Sequence, residues 1–193
     1  MTISVVGLNH KSANIDIRGK FSFTPDSASL LLRRIKKLND ISEVIVVSTC
    51  NRTEIYCESS NGVDDIRNWL LSDKEYKPFA KHLYMHQEED AIEHLFKVVA
   101  GLDSMVIGES EVLGQVKAAY KIALDNKSID GKLKRLFEYS FSVAKNVRTN
   151  TDIGGNAISF MYTSILLIKK IFSAVEEKKC LLIGAGAVSY THL

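Results

Sequence analysis

Hydrophobic periodicity changes once along this chain, close to residue 88, and few folds accommodate such a change. Before it, short runs rich in β-branched residues alternate with helical stripes; after it the long apolar patterns have the spacing of a helix. Residues 3–8 form the first β-rich run. Thr24-Pro25-Asp26 then caps a helix on which Leu30, Leu31, Ile35 and Leu38 recur at helical spacing. Residues 43–47 (EVIVV) read as a buried strand and 53–58 (TEIYCE) alternate, so the two form a hairpin turned around Cys50-Asn51-Arg52. Residues 63–71 are helical, with Ile66, Trp69 and Leu70 on one side, and 82–85 supply a last short strand.

The order βαββαβ over about residues 1–86 predicts the split βαβ, or ferredoxin-like, arrangement: an antiparallel sheet with two helices packed on one face. Three helices follow. Ala91, Ile92, Leu95, Phe96, Val98, Val99 and Leu102 mark the first, Val112, Leu113, Val116, Ala119, Tyr120 and Ala123 the second, and Leu133, Leu136, Phe137, Phe141, Ala144 and Val147 the third. The fold class expected is therefore α+β. Residues 151–156 are a turn-rich break, beyond which lie one more helix, 157–175, and the apolar run 180–183 leading into Gly184-Ala185-Gly186. We divide the chain into a domain over 1–150 and the incomplete start of a Rossmann-type α/β domain over 151–193.

Composition narrows the class further. With 46% hydrophobic and 25% charged residues the chain supports a packed core. Its longest apolar run, 165–168, falls far short of the roughly 20 residues a membrane span needs. The N-terminus has no signal-peptide core, and a cytoplasmic location is expected. Cys50, Cys57 and Cys180 are an odd set with no CxxC pair and no histidine at ligand spacing, which argues against a disulfide framework and a metal site. A net charge of +2 does not by itself call for nucleic acid.

Cys50 lies where a buried strand ends and a hairpin turns, a place where a rigid scaffold can offer a thiol to a ligand. Its pKa would fall beside a cation, which Arg52 could supply from two residues away. Cys57 and Cys180, inside apolar strand runs, read as core. Residues 101–111 form a polar, Gly-punctuated loop that ends at a helix N-terminus, suited to an amine or an anion; Glu111 and Gln115, one turn apart, point to the same side. His94, between Glu93 and Lys97 at the edge of an apolar stripe, reads as a surface histidine. Gly184, Ala185, Gly186, Ala187, Val188 and Ser189 have the G-x-G-x-x-small spacing of a dinucleotide loop after a strand. Basic residues cluster as Arg33, Arg34, Lys36 and Lys37 on the first long helix and as Lys132, Lys134, Arg135, Lys145 and Arg148 on a later one; an RNA would meet these first.

Three segments together resemble the hallmark motifs of the glutamyl-tRNA reductase family: Gly7-Leu8-Asn9-His10-Lys11, the stretch Ser48-Thr49-Cys50-Asn51-Arg52-Thr53-Glu54-Ile55-Tyr56, and 101–109 running on to Leu113-Gly114-Gln115-Val116-Lys117. The resemblance extends from about Val5 to Gly186. It implies that Cys50 attacks the aminoacyl ester of glutamyl-tRNA(Glu) to give a thioester. Hydride from NADPH then releases glutamate-1-semialdehyde, the first step of the C5 route to 5-aminolevulinate and tetrapyrroles. The family's substrate pocket falls on Thr49, Cys50, Asn51, Arg52, Ser104, Glu109, Ser110, Glu111 and Gln115, with Arg52 suited to a carboxylate and Glu109 to the α-ammonium. The family's activity-linked histidine falls on His94. The resemblance also implies a homodimeric whole enzyme and the aminomutase that takes the semialdehyde as a partner.

After Gly186 the segment 187–193 departs from the family's continuation, and we expect a truncated or spliced reading frame. Thioester formation without reduction is the activity expected of such a fragment. Two other readings compete. A non-catalytic remnant would bind tRNA or a protein partner and turn nothing over. An RNA-recognition module would share the sheet, but the central-strand candidates carry only Tyr56 as an aromatic platform and no RNP1-like string occurs.

Overall fold

A computed structural model of the chain describes residues 1–154, 160–172, 175 and 178–179. Four strands, β1 (Thr2–Asn9), β2 (Ile41–Ser48), β3 (Arg52–Ser59) and β4 (Tyr84–Gln87), form one antiparallel sheet in the order β2-β3-β1-β4. The register pairs Asn9 with Arg52 and Ser48 with Thr53, so β1, β2 and β3 reach the same end of the sheet together. The tight connection Thr49-Cys50-Asn51 lies at that end.

Six helices surround the sheet: α1 (Ile15–Lys20), α2 (Pro25–Ile35), α3 (Val63–Ser72), α4 (Glu88–Val99), α5 (Glu111–Asp125) and α6 (Lys132–Asn150). The sequence pattern does not announce α1, which has no buried residue; it is started by the Asn14 side chain, which accepts from Ile17 N–H. Helix α2 begins as expected, with Thr24 accepting from Ser27 N–H and Pro25 in the first turn. Its Leu31 and Leu32 are buried, whereas Leu30, expected in the stripe, is exposed. A 3-10 turn, Lys77–His82, precedes β4 and displaces that strand two residues beyond the predicted 82–85.

Both faces of the sheet are covered, which explains why β2 is a nearly continuous apolar run and why every residue of β3 is buried. Alternation in β3 therefore does not separate core from solvent. Thr53 shares its face with Ser48, whose hydroxyl accepts from Phe23 N–H at the start of α2. Arg52, Glu54, Tyr56 and Glu58 face the other way, where Tyr56 meets Phe137 of α6 edge-on and Glu54 meets His94 of α4. Helix α5 packs against β2, the outer strand, and just beyond it Ser128 O accepts from Val44 N–H, covering a sheet edge that would otherwise stay unpaired. Buried Glu43 in β2 accepts from the backbone N–H groups of Asp130, Gly131 and Leu133, so a strand carboxylate caps α6.

The helix expected over 157–175 is observed as α7 (Phe160–Ile171), following a 3-10 turn at Asp152–Gly154. The dinucleotide-loop candidates Gly184, Ala185, Gly186, Ala187, Val188 and Ser189, and Cys180, lie outside the described residues. No helix among the described residues is long and apolar enough to cross a membrane.

Candidate active site

Cys50 is exposed at the tip of the β2–β3 connection. The turn that carries it is fixed by backbone and hydroxyl bonds: Thr49 N–H donates to Arg52 O, Thr49 Oγ1 accepts from the N–H groups of Asn51 and Arg52, and Asn51 O accepts from His10 N–H at the end of β1. Thr49 and Asn51 thus hold the thiol in place through their backbone and hydroxyl.

Arg52 does not flank the thiol as the spacing suggested. As the first residue of β3 it takes the strand's alternation and turns beneath α4, 2% exposed. Its Nη1 donates to Glu54 Oε1 at 2.7 Å, and both terminal nitrogens reach Asp103 Oδ2 at 3.1 Å. Its planar fork meets carboxylates of the chain itself. The neighbours that govern Cys50 are instead acidic: partial burial pushes the thiol up, and the charges of Glu109 and Glu111 push it the same way.

Glu54 is the centre of this network, and the sequence reading did not single it out. Fully buried, it accepts from Arg52, from Tyr56 Oη at 2.8 Å, from Tyr84 Oη and from His94 Nε2 at 2.8 Å. Burial would raise its pKa. The His94 hydrogen bond and the Arg52 charge outweigh burial and hold the carboxyl at about 2. An ionised carboxylate only accepts, so His94 Nε2 carries its proton toward Glu54 and Nδ1 is the nitrogen left for other work. His94 is no surface histidine: its side chain is 11% exposed, and its ring stacks on His86 at 4.9 Å and meets Tyr84 edge-on. The helical stripe gave no hint of this, because the partner sits on a strand 40 residues away. The available signal was an acid between Arg52 and Tyr56 on one face of the strand.

The 101–110 loop closes over the same end of the sheet. Gly101 and Gly108 both have positive φ (76° and 86°), and Gly108 N–H donates to Gly101 O at 2.9 Å. Asp103 ties the loop down by accepting from Arg52 and from Lys11. Glu109 is buried, and burial followed by the charge of Glu111 raises its pKa. Ser104 Oγ and His10 Nδ1 are buried polar atoms without a partner on this side of the molecule. Ser110 is exposed at the start of α5; Glu111 and Gln115 are half-buried on its first turns, and Gln115 lines a small cleft with Phe23 and Ser48. Among the described residues no group of three or more His, Cys, Asp or Glu is placed to hold a metal ion.

A thiol at a rigid strand-end turn beside a loop with a buried acid is the kind of layout that cysteine nucleophiles use. Residues 6–151 match the family model described as glutamyl-tRNAGlu reductase, N-terminal domain, and the chain belongs to that family. It is 41% identical over 190 residues to the glutamyl-tRNA reductase of Aliivibrio fischeri, covering 96% of this chain and 46% of that protein. With the glutamyl-tRNA reductase of Idiomarina loihiensis the identity is 43% over 191 residues, covering 98% and 45%. The solved structure of glutamyl-tRNA reductase from Methanopyrus kandleri superposes with a TM-score of 0.68 at 27% identity, over 96% of this chain and 44% of that one. The chain thus spans less than half the length of these relatives.

Proposed function

We propose that this chain is the glutamate-accepting, catalytic part of an NADPH-dependent glutamyl-tRNA reductase, and that Cys50 is its nucleophile. The observation that carries the reading is an exposed thiol on a turn fixed by Thr49 and Asn51, next to a loop that holds a buried acid, Glu109. Sγ forms a bond to the ester carbonyl carbon of glutamyl-tRNA, the carbon–oxygen bond to the terminal ribose breaks, and that oxygen leaves with a proton. Glu109 receives the α-ammonium of the glutamyl group. That pairing offsets one of the two acidic charges that, after burial, push the thiol up, so substrate binding itself favours the thiolate. His94, oriented through Glu54, serves as proton carrier at Nδ1; Arg52 acts as a positioning residue for Glu54 and Asp103.

NADPH, when bound, supplies the hydride that reduces the thioester to glutamate-1-semialdehyde. The residues expected to hold it, 184–189, lie outside the described residues. The division into a catalytic domain over 1–150 and the start of a nucleotide-binding domain is supported by the end of the family match at residue 151. The ferredoxin-like reading of the first part is supported by the strand order β2-β3-β1-β4. Cytoplasmic location, a homodimeric whole enzyme and hand-over to an aminomutase rest on the family resemblance.

Acid-quench trapping tests the central step. After mixing with labelled glutamyl-tRNA, label should stay on the wild-type protein and be absent from Cys50→Ser, with free glutamate and no semialdehyde formed by the chain alone. No label on either form, with the tRNA bound, would make the chain a binding remnant. NADPH-dependent aldehyde from this chain would overturn the expectation that it stops at the thioester.

A further inference from the structure

Helices α5 and α6 leave between them a groove of about 460 Å³, with Leu113 and Phe141 on its floor and Lys117, Lys145 and Arg148 on its walls. None of the residues lining it is a carboxylate, and none of the three cations has an ion-pair partner among the described residues. The other basic cluster, on α2, is largely committed: Arg34 pairs with Asp73 and lies over the Trp69 ring, Arg33 donates to Asn126, and Lys36 donates to Ser42 O. Lys132 is likewise tied to Glu58. Lys117, Lys145 and Arg148 thus form one cluster of cations, without an ion-pair partner among the described residues, that shares a single groove.

The groove also joins the active site. Arg148, on its wall, donates from Nη1 to Gly108 O at 3.2 Å and to Glu109 O at 3.4 Å, the two carbonyls that end the 101–110 loop. Lys117 stands over the Phe141 ring at 5.6 Å, which holds its ammonium at the rim. A polyanion lying in this groove would meet three uncompensated cations and end at the loop beside Cys50.

We infer that the α5–α6 groove is where the RNA part of the substrate lies, its terminal phosphates on Lys117 and Lys145 and its 3′ end directed by Arg148 to the loop that carries Glu109. The inference rests on the proposed function and adds the surface that holds the RNA. Contacts of this kind go to phosphates, so the affinity they give is salt-dependent and indifferent to sequence.

The test is binding of a fluorescent acceptor-stem minihelix ending in CCA to the 193-residue chain, followed by anisotropy across a salt series. The double variant Lys117→Glu/Lys145→Glu should bind at least about tenfold more weakly at low salt, and each lysine removed should take about one from the slope of log K against log salt. Lys117→Arg/Lys145→Arg should restore both, which a folding defect would not, and Lys37→Glu on α2 should change neither. The double glutamate variant should still accept glutamate on Cys50 from a small activated glutamate ester. If the variants bind the minihelix like wild type, or if NADPH rather than the minihelix shields Lys117 and Lys145 from amine acylation, the groove assignment is overturned while the Cys50 reading stands. If wild type binds no tRNA and takes no glutamate from either donor, both fall.

Discussion

Cys50 and Glu54 are four residues apart and occupy opposite extremes of the same hairpin. One is an exposed thiol with acids for neighbours; the other is a fully buried carboxylate holding four donors. Exposure is placed on the turn, where few contacts restrain the side chain. Rigidity is placed under it, where Arg52, Glu54 and Asp103 tie β3 to α4 and to the 101–110 loop. The two regions teach that, within one motif, nearby polar residues divide an exposed thiol from the buried network beneath it.

That division is most sharply broken at the thiol. Cys50→Ala should abolish retention of labelled glutamate while changing the unfolding free energy by less than about 0.5 kcal/mol, as for an ordinary surface site. A large loss of stability would mean that the turn depends on the thiol for its shape.

Next in size is the support. Glu54→Gln leaves Arg52 buried with one carboxylate fewer and puts an amide donor among donors, so the chain should lose about 3–5 kcal/mol, or roughly 10 °C in Tm. Acid should do the same to wild type. The Glu54 carboxyl is held at about 2, below its ordinary 4.5. Its contribution is therefore complete above pH 4.5 and is lost as pH falls through about 2, and the variant's stability should be flatter across that window. Equal acid sensitivity in both proteins would remove Glu54 from the role assigned to it.

A smaller effect is expected at the loop. Gly108→Ala forces a side chain onto φ 86° and brings its Cβ to 3.2 Å from Ile153 O, costing about 1–2 kcal/mol in urea unfolding. An unchanged midpoint would show that the loop can relax without its glycine. The smallest is electrostatic: Glu109→Gln should lower the pKa of Cys50, read from the pH dependence of iodoacetamide alkylation. No shift would leave the thiol to burial and Glu111.

Much of this was legible from residue order. The hairpin around Cys50, the capped start of α2 at Thr24, and the three stripes of α4, α5 and α6 follow from local periodicity and capping chemistry, which act over a few residues. Helix α1 was not legible, because it buries nothing and so leaves no stripe. The role of Arg52 was misread for a related reason. Two residues of separation look close in sequence, but one step into a strand turns the side chain to the face opposite its neighbour.

The sequence by itself determined the family, the position of Cys50 at a strand end, and the succession of elements, since motifs and periodicities are properties of consecutive residues. Only the tertiary structure decided which groups meet. Glu54 meets His94 across 40 residues, Arg52 meets Asp103 across 51, and Arg148 reaches back 40 to Gly108. Those pairings fix the charge state of Glu54 and the set of the loop, because burial and neighbouring charge, not residue type, set where a proton resides.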